Sequence, residues 1–153
     1  MKPGIRSTQG FSLMELMIVV VIIGILGAVA IPNMGGWHGK RQLNSTARTM
    51  ANHMNLARSE AVTGNRVVTI SFNPVDDSYQ IVAGGTTIVE QVTMPDAIDL
   101  EILTGFTSNT GGFNGRGLAT VSGSIVLTSA TAASADNKRT ITILPGGSVS
   151  ITP

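Results

Sequence analysis

The chain of 153 residues contains no cysteine, which excludes disulfide staples, thiol nucleophiles and thiolate-bound zinc together. Histidine is almost as scarce: His38 and His53 are the only two, and each reads as a solvated or helix-face residue rather than a catalytic one. Charged residues make up 12% of the chain, about half the usual share of roughly 25%. Ten Lys and Arg against nine Asp and Glu leave a formal net charge of +1, so overall charge does not select the partners. What the chain has instead is apolar sequence, with a mean hydropathy of +0.29, and it is placed very unevenly.

From Leu16 to Ile31, sixteen consecutive residues carry no charge, hydroxyl or amide side chain. Counted from Phe11 the stretch is 21 residues, interrupted by Ser12 and Glu15. As a helix rising 1.5 Å per residue it reaches roughly 32 Å, the thickness of a bilayer's hydrocarbon core. Before it lies MKPGIRSTQG, with Lys2 and Arg6 and no acid, which orients the N-terminus toward the cytoplasm. An ordinary secretory signal is the simpler alternative, with Ala28-Val29-Ala30 as its cleavage tripeptide. Against it stand the length of the run and Glu15, a carboxylate costing on the order of 3 kcal/mol at a membrane helix centre and less near an end. That cost asks for a partner, a function, or a side chain reaching back to the headgroups.

Gly10 followed by Phe11-Ser12-Leu13-Met14-Glu15-Leu16 resembles the class III signal of type IV pilins and type II secretion pseudopilins. The resemblance implies cleavage by prepilin peptidase between Gly10 and Phe11, N-methylation of Phe11, and an assembly role for Glu15. Gly24 and Pro32 fall where pilins carry a helix-weakening glycine and a kink proline. Proline removes a helical hydrogen bond, so 33–39 can equally be a loop after a helix that stops at Pro32.

Beyond Trp37, Leu43, Ala47, Met50, Met54, Ala57 and Ala61 recur at helical spacing, a narrow stripe suited to packing on a sheet. Thr63-Gly64-Asn65 ends that helix. Trp37 suits either an interfacial anchor or packing against the domain. From Asn65 the period becomes two and β-branched residues dominate. Strands are expected at 66–72, 78–82, 86–92, 98–103, 123–128, 139–144 and 148–151, with polar, mobile loops at 107–112 and 128–137. The expected organisation is a leader (1–10), a transmembrane and assembly helix (11–32), an amphipathic helix half (33–64) and a β-rich domain (65–153). The fold class is α+β, a long N-terminal helix packed on an antiparallel sheet.

Ala57-Arg58-Ser59-Glu60-Ala61, the run Gly111-Gly112-Phe113-Asn114-Gly115-Arg116-Gly117 and the turn Pro145-Gly146-Gly147 resemble the GspH/FimT branch of that superfamily. Lack of cysteine departs from the disulfide-closed end of major pilins and favours a minor subunit. The resemblance implies a structural subunit in the inner membrane, its C-terminal domain periplasmic, with other pilin subunits as partners.

No catalytic residue, metal ligand set or cofactor site is expected. The glycines of 111–117 match neither G-x-G-x-x-G nor GK[ST], and Asp96, Asp99 and Glu101 do not have EF-hand spacing. The alternative function is a DNA-binding minor pilin for DNA uptake. Arg116, Lys138 and Arg139, the only cations after Arg66, would then meet phosphates. Eight cations against eight acids over 40–153 argue for weak nucleic-acid affinity at most.

Overall fold

The structure is a computed structural model and describes residues 11–30 and 34–153. The chain divides into two compact units at Met34/Gly35.

In the first unit, α1 (Leu13–Ala30) follows directly from the apolar run. Ser12 starts it: its carbonyl accepts from the amides of Glu15 (3.0 Å) and Leu16 (3.2 Å), and its Oγ accepts from Met14 N (3.2 Å). Apolar side chains surround the helix rather than lining one face, and Phe11 through Leu26 are exposed wherever they are large and apolar. Among the described residues no helix is long and apolar enough to cross a membrane. The 18 residues of α1 reach about 27 Å, a little short of a ~30 Å hydrocarbon core.

The second unit is built on α2 (Met34–Thr63), whose expected stripe of Leu43, Ala47, Met50, Met54, Ala57 and Ala61 is buried throughout. The helix ends in a Schellman motif: Arg66 N donates to Ala61 O (3.1 Å) and Asn65 N to Val62 O (3.3 Å). Asn65 takes the left-handed position (φ 43°), and the glycine precedes it.

Nine strands follow: β1 (Val68–Asn73), β2 (Ser78–Ala83), β3 (Thr86–Thr93), β4 (Ile98–Thr104), β5 (Thr110–Phe113), β6 (Ala119–Val121), β7 (Gly123–Ser129), β8 (Lys138–Ile143) and β9 (Val149–Thr152). They form two antiparallel sheets, ordered β3-β2-β1-β5-β6 and β4-β7-β8-β9. Alternation places Val68, Ile70 and Phe72 of β1, and Ile141 and Ile143 of β8, in one core with the α2 stripe. That shared core makes the unit α+β, as the periodicities require.

One short strand corrects the expected loop at 107–112. The end of that segment enters β5, which lies beside β1 with Val68 opposite Phe113, and β6 then pairs with β5. Glycine hides β5 in the sequence, yet close approach demands it. A Cβ on Gly111 would stand 2.7 Å from the Phe106 ring, and one on Gly112 would strike Val68 O. The loop at 128–137 is tied down: Ser129 N donates to Asn137 O (2.8 Å), Ala130 N to Ala97 O (3.0 Å), and Gly39 of α2 packs directly on Thr131 and Ala132.

Candidate functional site

Of the residues expected to process and assemble the chain, Gly10 and Pro32 lie outside the described residues. Phe11 stands exposed ahead of α1, and Glu15 occupies the first helical turn, where a carboxylate complements the positive end of the helix dipole. Gly24 is an ordinary helical residue with open space around it. A shallow groove of Met14, Met17, Ile18, Val21 and Ile22 runs along α1. A helix apolar all round is at home in hydrocarbon or among other helices, and α1 therefore presents a surface built to be covered.

In the second unit the three motifs at 57–61, 111–117 and 145–147 meet at one place. Arg58 leaves the last turns of α2, and its Nε donates to Gly117 O (2.9 Å), while Nη2 reaches Gly146 O (3.4 Å). Gly117 (φ +74°) and Gly147 (φ +80°) take left-handed conformations, and a Cβ on Gly147 would strike the Gly117 carbonyl. Asn114 shapes the loop before Gly117: its Oδ1 accepts from Arg116 N (2.9 Å) and Leu118 N (3.1 Å). Gly115 lies against Asn65. The motif residues thus clasp the end of α2 to both sheets. They cradle a guanidinium of the chain itself.

A second polar cluster joins the first half of α2 to β8. Asp136 accepts from Lys40 and, at 2.7 Å, from Arg139 Nη2. Arg139 Nε also donates to Asn44 Oδ1 (2.7 Å) and Nη1 to Lys138 O. The hydrogen bonds from Lys40 and then Arg139 hold the Asp136 carboxyl below the usual carboxylate range. His53 and Tyr79 form the remaining link between helix and sheet, Nδ1 to OH at 2.7 Å. Burial pushes the Tyr79 phenol up to about 12.

The three cations proposed for DNA do not converge. Arg139 is buried, 8% exposed, and its guanidinium is consumed by Asp136, Asn44 and Lys138 O. Arg116 lies in the clasp, beside the turn that follows β8, whereas Lys138 begins β8. The five-residue rise between the ends of β8 is about 17 Å. Sequence reasoning missed Arg58, Lys40 and Asp136 as organising residues. Arg58 was marked by its motif, but the distance of 59 positions to Gly117 hid its partner. Trp37 is not packed into the core; it is half exposed, with the Arg41 guanidinium 4.6 Å from its ring centroid.

Comparison with known proteins agrees with both halves. A prokaryotic N-terminal methylation motif matches residues 5–31. A fimbrial protein of Pseudomonas aeruginosa is 37% identical over 76 residues, 50% of this chain and 49% of that protein. Type II secretion system protein H of the same species is 36% identical over 76 residues, 50% of this chain and 43% of that protein. The chain spans about half the length of these curated relatives. Among solved structures, the minor pseudopilin EpsH from the type 2 secretion system of Vibrio cholerae superposes with a TM-score of 0.60 at 12% identity, over 72% of this chain and 96% of that one. The type IV minor pilin FimU of Pseudomonas aeruginosa gives 0.53 at 18% identity, over 74% and 90%. These likenesses carry the fold. The family model described as type II transport protein GspH matches residues 46–147, which take in the α2 stripe from Ala47 on, β1 to β8 and the clasp, and the chain therefore belongs to the GspH family.

Proposed function

We propose that the chain is a minor pilin-like subunit, of a type IV pilus or a type II secretion pseudopilus. The observation that carries this is one chain joining a methylation-motif N-terminus to a GspH-family domain, with a helix whose large apolar side chains from Leu13 to Leu26 stand exposed.

Prepilin peptidase is the first partner: it cuts after Gly10 on the cytoplasmic side, and Phe11 becomes the N-methylated terminus. The apolar segment then holds the subunit in the inner membrane, with residues 35–153 on the periplasmic side. Cleavage creates an ammonium group at membrane depth. Glu15 of an adjoining subunit is the opposite charge it would meet, and low dielectric strengthens that attraction while penalising either charge alone. Pairing residue 11 of one subunit with residue 15 of the next favours stacking with an axial offset. Gly24 and Pro32 are the points at which the helix would yield. The role is structural, with no catalysis and no cofactor.

Glu15→Ala tests the pairing. The variant should insert and be cleaved, because removing a charge lowers the insertion cost, but it should enter filaments poorly or alter their initiation. Normal recovery of the variant crosslinked to partner pilins would refute the mechanism.

A further inference from the structure

No acid occurs between Glu15 and Glu60, while Lys40, Arg41, Arg48 and Arg58 all fall there. The fold occupies two of these cations. Lys40 pairs with Asp136, and Arg58 is held by the carbonyls of the clasp. Arg41 and Arg48 are exposed, and neither makes an ion pair among the described residues. Their surroundings differ. Arg48 stands level with the acidic side of the domain, since Pro95, next to the exposed Asp96, shares a cavity with Ser45, Thr46 and Thr49. Arg41 lies about a turn ahead of that point, toward the apolar segment.

The guanidinium of Arg41 covers the Trp37 ring, its carbon 4.6 Å from the centroid. Both side chains leave α2 on the face turned away from the core, because Gly39 between them packs on Thr131 and Ala132 and Leu43 just beyond them is fully buried. A guanidinium stacked by its face keeps its N–H edge free. That edge matches two oxygens of a phosphate. The half-exposed indole beside it is an amphipathic ring of the kind that settles among lipid headgroups. The chain also limits where the pair can go. Met34 already begins α2, so Trp37 lies at most about 15 Å of chain past Ile31, where the apolar run ends. Arg48 is about 10 Å farther along the helix than Arg41.

We propose that Trp37 and Arg41 form a seat for the headgroup of an anionic phospholipid, the guanidinium taking the phosphate and the indole lying against the glycerol level of the same leaflet. Two observations select that occupant: the short tether to the apolar segment, and a stacked cation with no acid of its own, which complements a negatively charged lipid surface. The inference deepens the reading of 11–31 as a membrane anchor and rests on it. The seat would fix the depth at which α2 leaves the bilayer. It also compensates a cation on the translocated side, where Lys and Arg beside a membrane helix are disfavoured.

Trp37 is the only tryptophan, so its fluorescence reports this place alone. The full chain, purified from the host membrane, is reconstituted into phosphatidylcholine vesicles that carry a small fraction of brominated phosphatidylglycerol or the same fraction of brominated phosphatidylcholine. Bromine quenches the indole on contact. The anionic lipid should be enriched beside Trp37 about five-fold over the neutral one, the ratio that ~1 kcal/mol for one cation at a lipid surface provides. Arg41→Gln should bring that ratio close to one, Arg48→Gln should leave it unchanged, and excess inorganic phosphate should not displace the lipid. Equal quenching by the two lipids, an Arg48→Gln loss as large as that of Arg41→Gln, or displacement by free phosphate would each overturn the proposal. Flotation of the vesicles is read on the same samples. A chain that floats without enrichment defeats the seat and leaves the anchor standing; a chain that does not float defeats the anchor and the seat with it.

Discussion

Arg139 shows how burial decides what a charged side chain can do. As a sequence feature it is one of three late cations; in the fold it faces inward on β8 and binds Asp136 and Asn44. Arg139→Ala leaves Asn44 Oδ1 without its donor while Asp136 keeps Lys40, and should cost about 1 to 2 kcal/mol in a denaturant titration. Lys40→Ala, at a half-exposed pair, should change stability little, because solvent screens the pair. Asp136 is held ionised below the usual carboxylate range, so its contribution is complete above that range and is lost as pH falls through its own lowered value. Tyr79 behaves in the opposite sense. Folded, its phenol stays protonated to about 12, while the unfolded phenol ionises near its ordinary value of about 10. Its contribution is therefore complete below pH 10 and is lost as pH rises toward 12. Tyr79 is the only tyrosine, and tyrosinate absorbance reads it alone. A midpoint near 10 in the native protein would contradict its burial against His53.

At the level of elements, regular periodicity was legible and glycine-rich structure was not. The α2 stripe follows from 3.6-residue spacing, and all six of its residues are buried. Met50→Asp, which places an unpaired charge in that core, should abolish cooperative thermal unfolding. Seven strands follow from alternation and begin within two residues of their expected starts. β5 was not legible, because Gly111 and Gly112 signal a turn by composition while their real role is to let β5 approach Phe106 and Val68. Gly111→Val should cost about 1 to 3 kcal/mol by overpacking, visible as a lower melting temperature with secondary structure retained. Unchanged stability would mean that β5 is not fixed against Phe106. The clasp was half legible. Its glycines announce left-handed turns, but only the fold shows that Arg58 is what they enclose.

Across the whole molecule, the α+β class and the division between apolar segment and globular domain could be read from hydropathy and period. Two sheets in place of one could not, since strand order depends on long-range pairing that local patterns do not encode. Charge behaves similarly. The lack of any cation from 67 to 115 is visible in the sequence, whereas the hydrogen bond that ties Asp77 to Leu100 of β4 is visible only in the fold. With Arg139 buried and Arg116 far from Lys138, alanine at all three positions should change DNA affinity little, and whatever binding exists should fade between low and physiological salt. The central claim, a pilin-like subunit matured at Gly10, is tested most directly by the intact mass and N-terminal sequence of the protein recovered from its host. Maturation predicts N-methylated Phe11 at the head of 143 residues, 153 less the ten of the leader; an N-terminus at Ile31 would contradict it and establish an ordinary secretory signal.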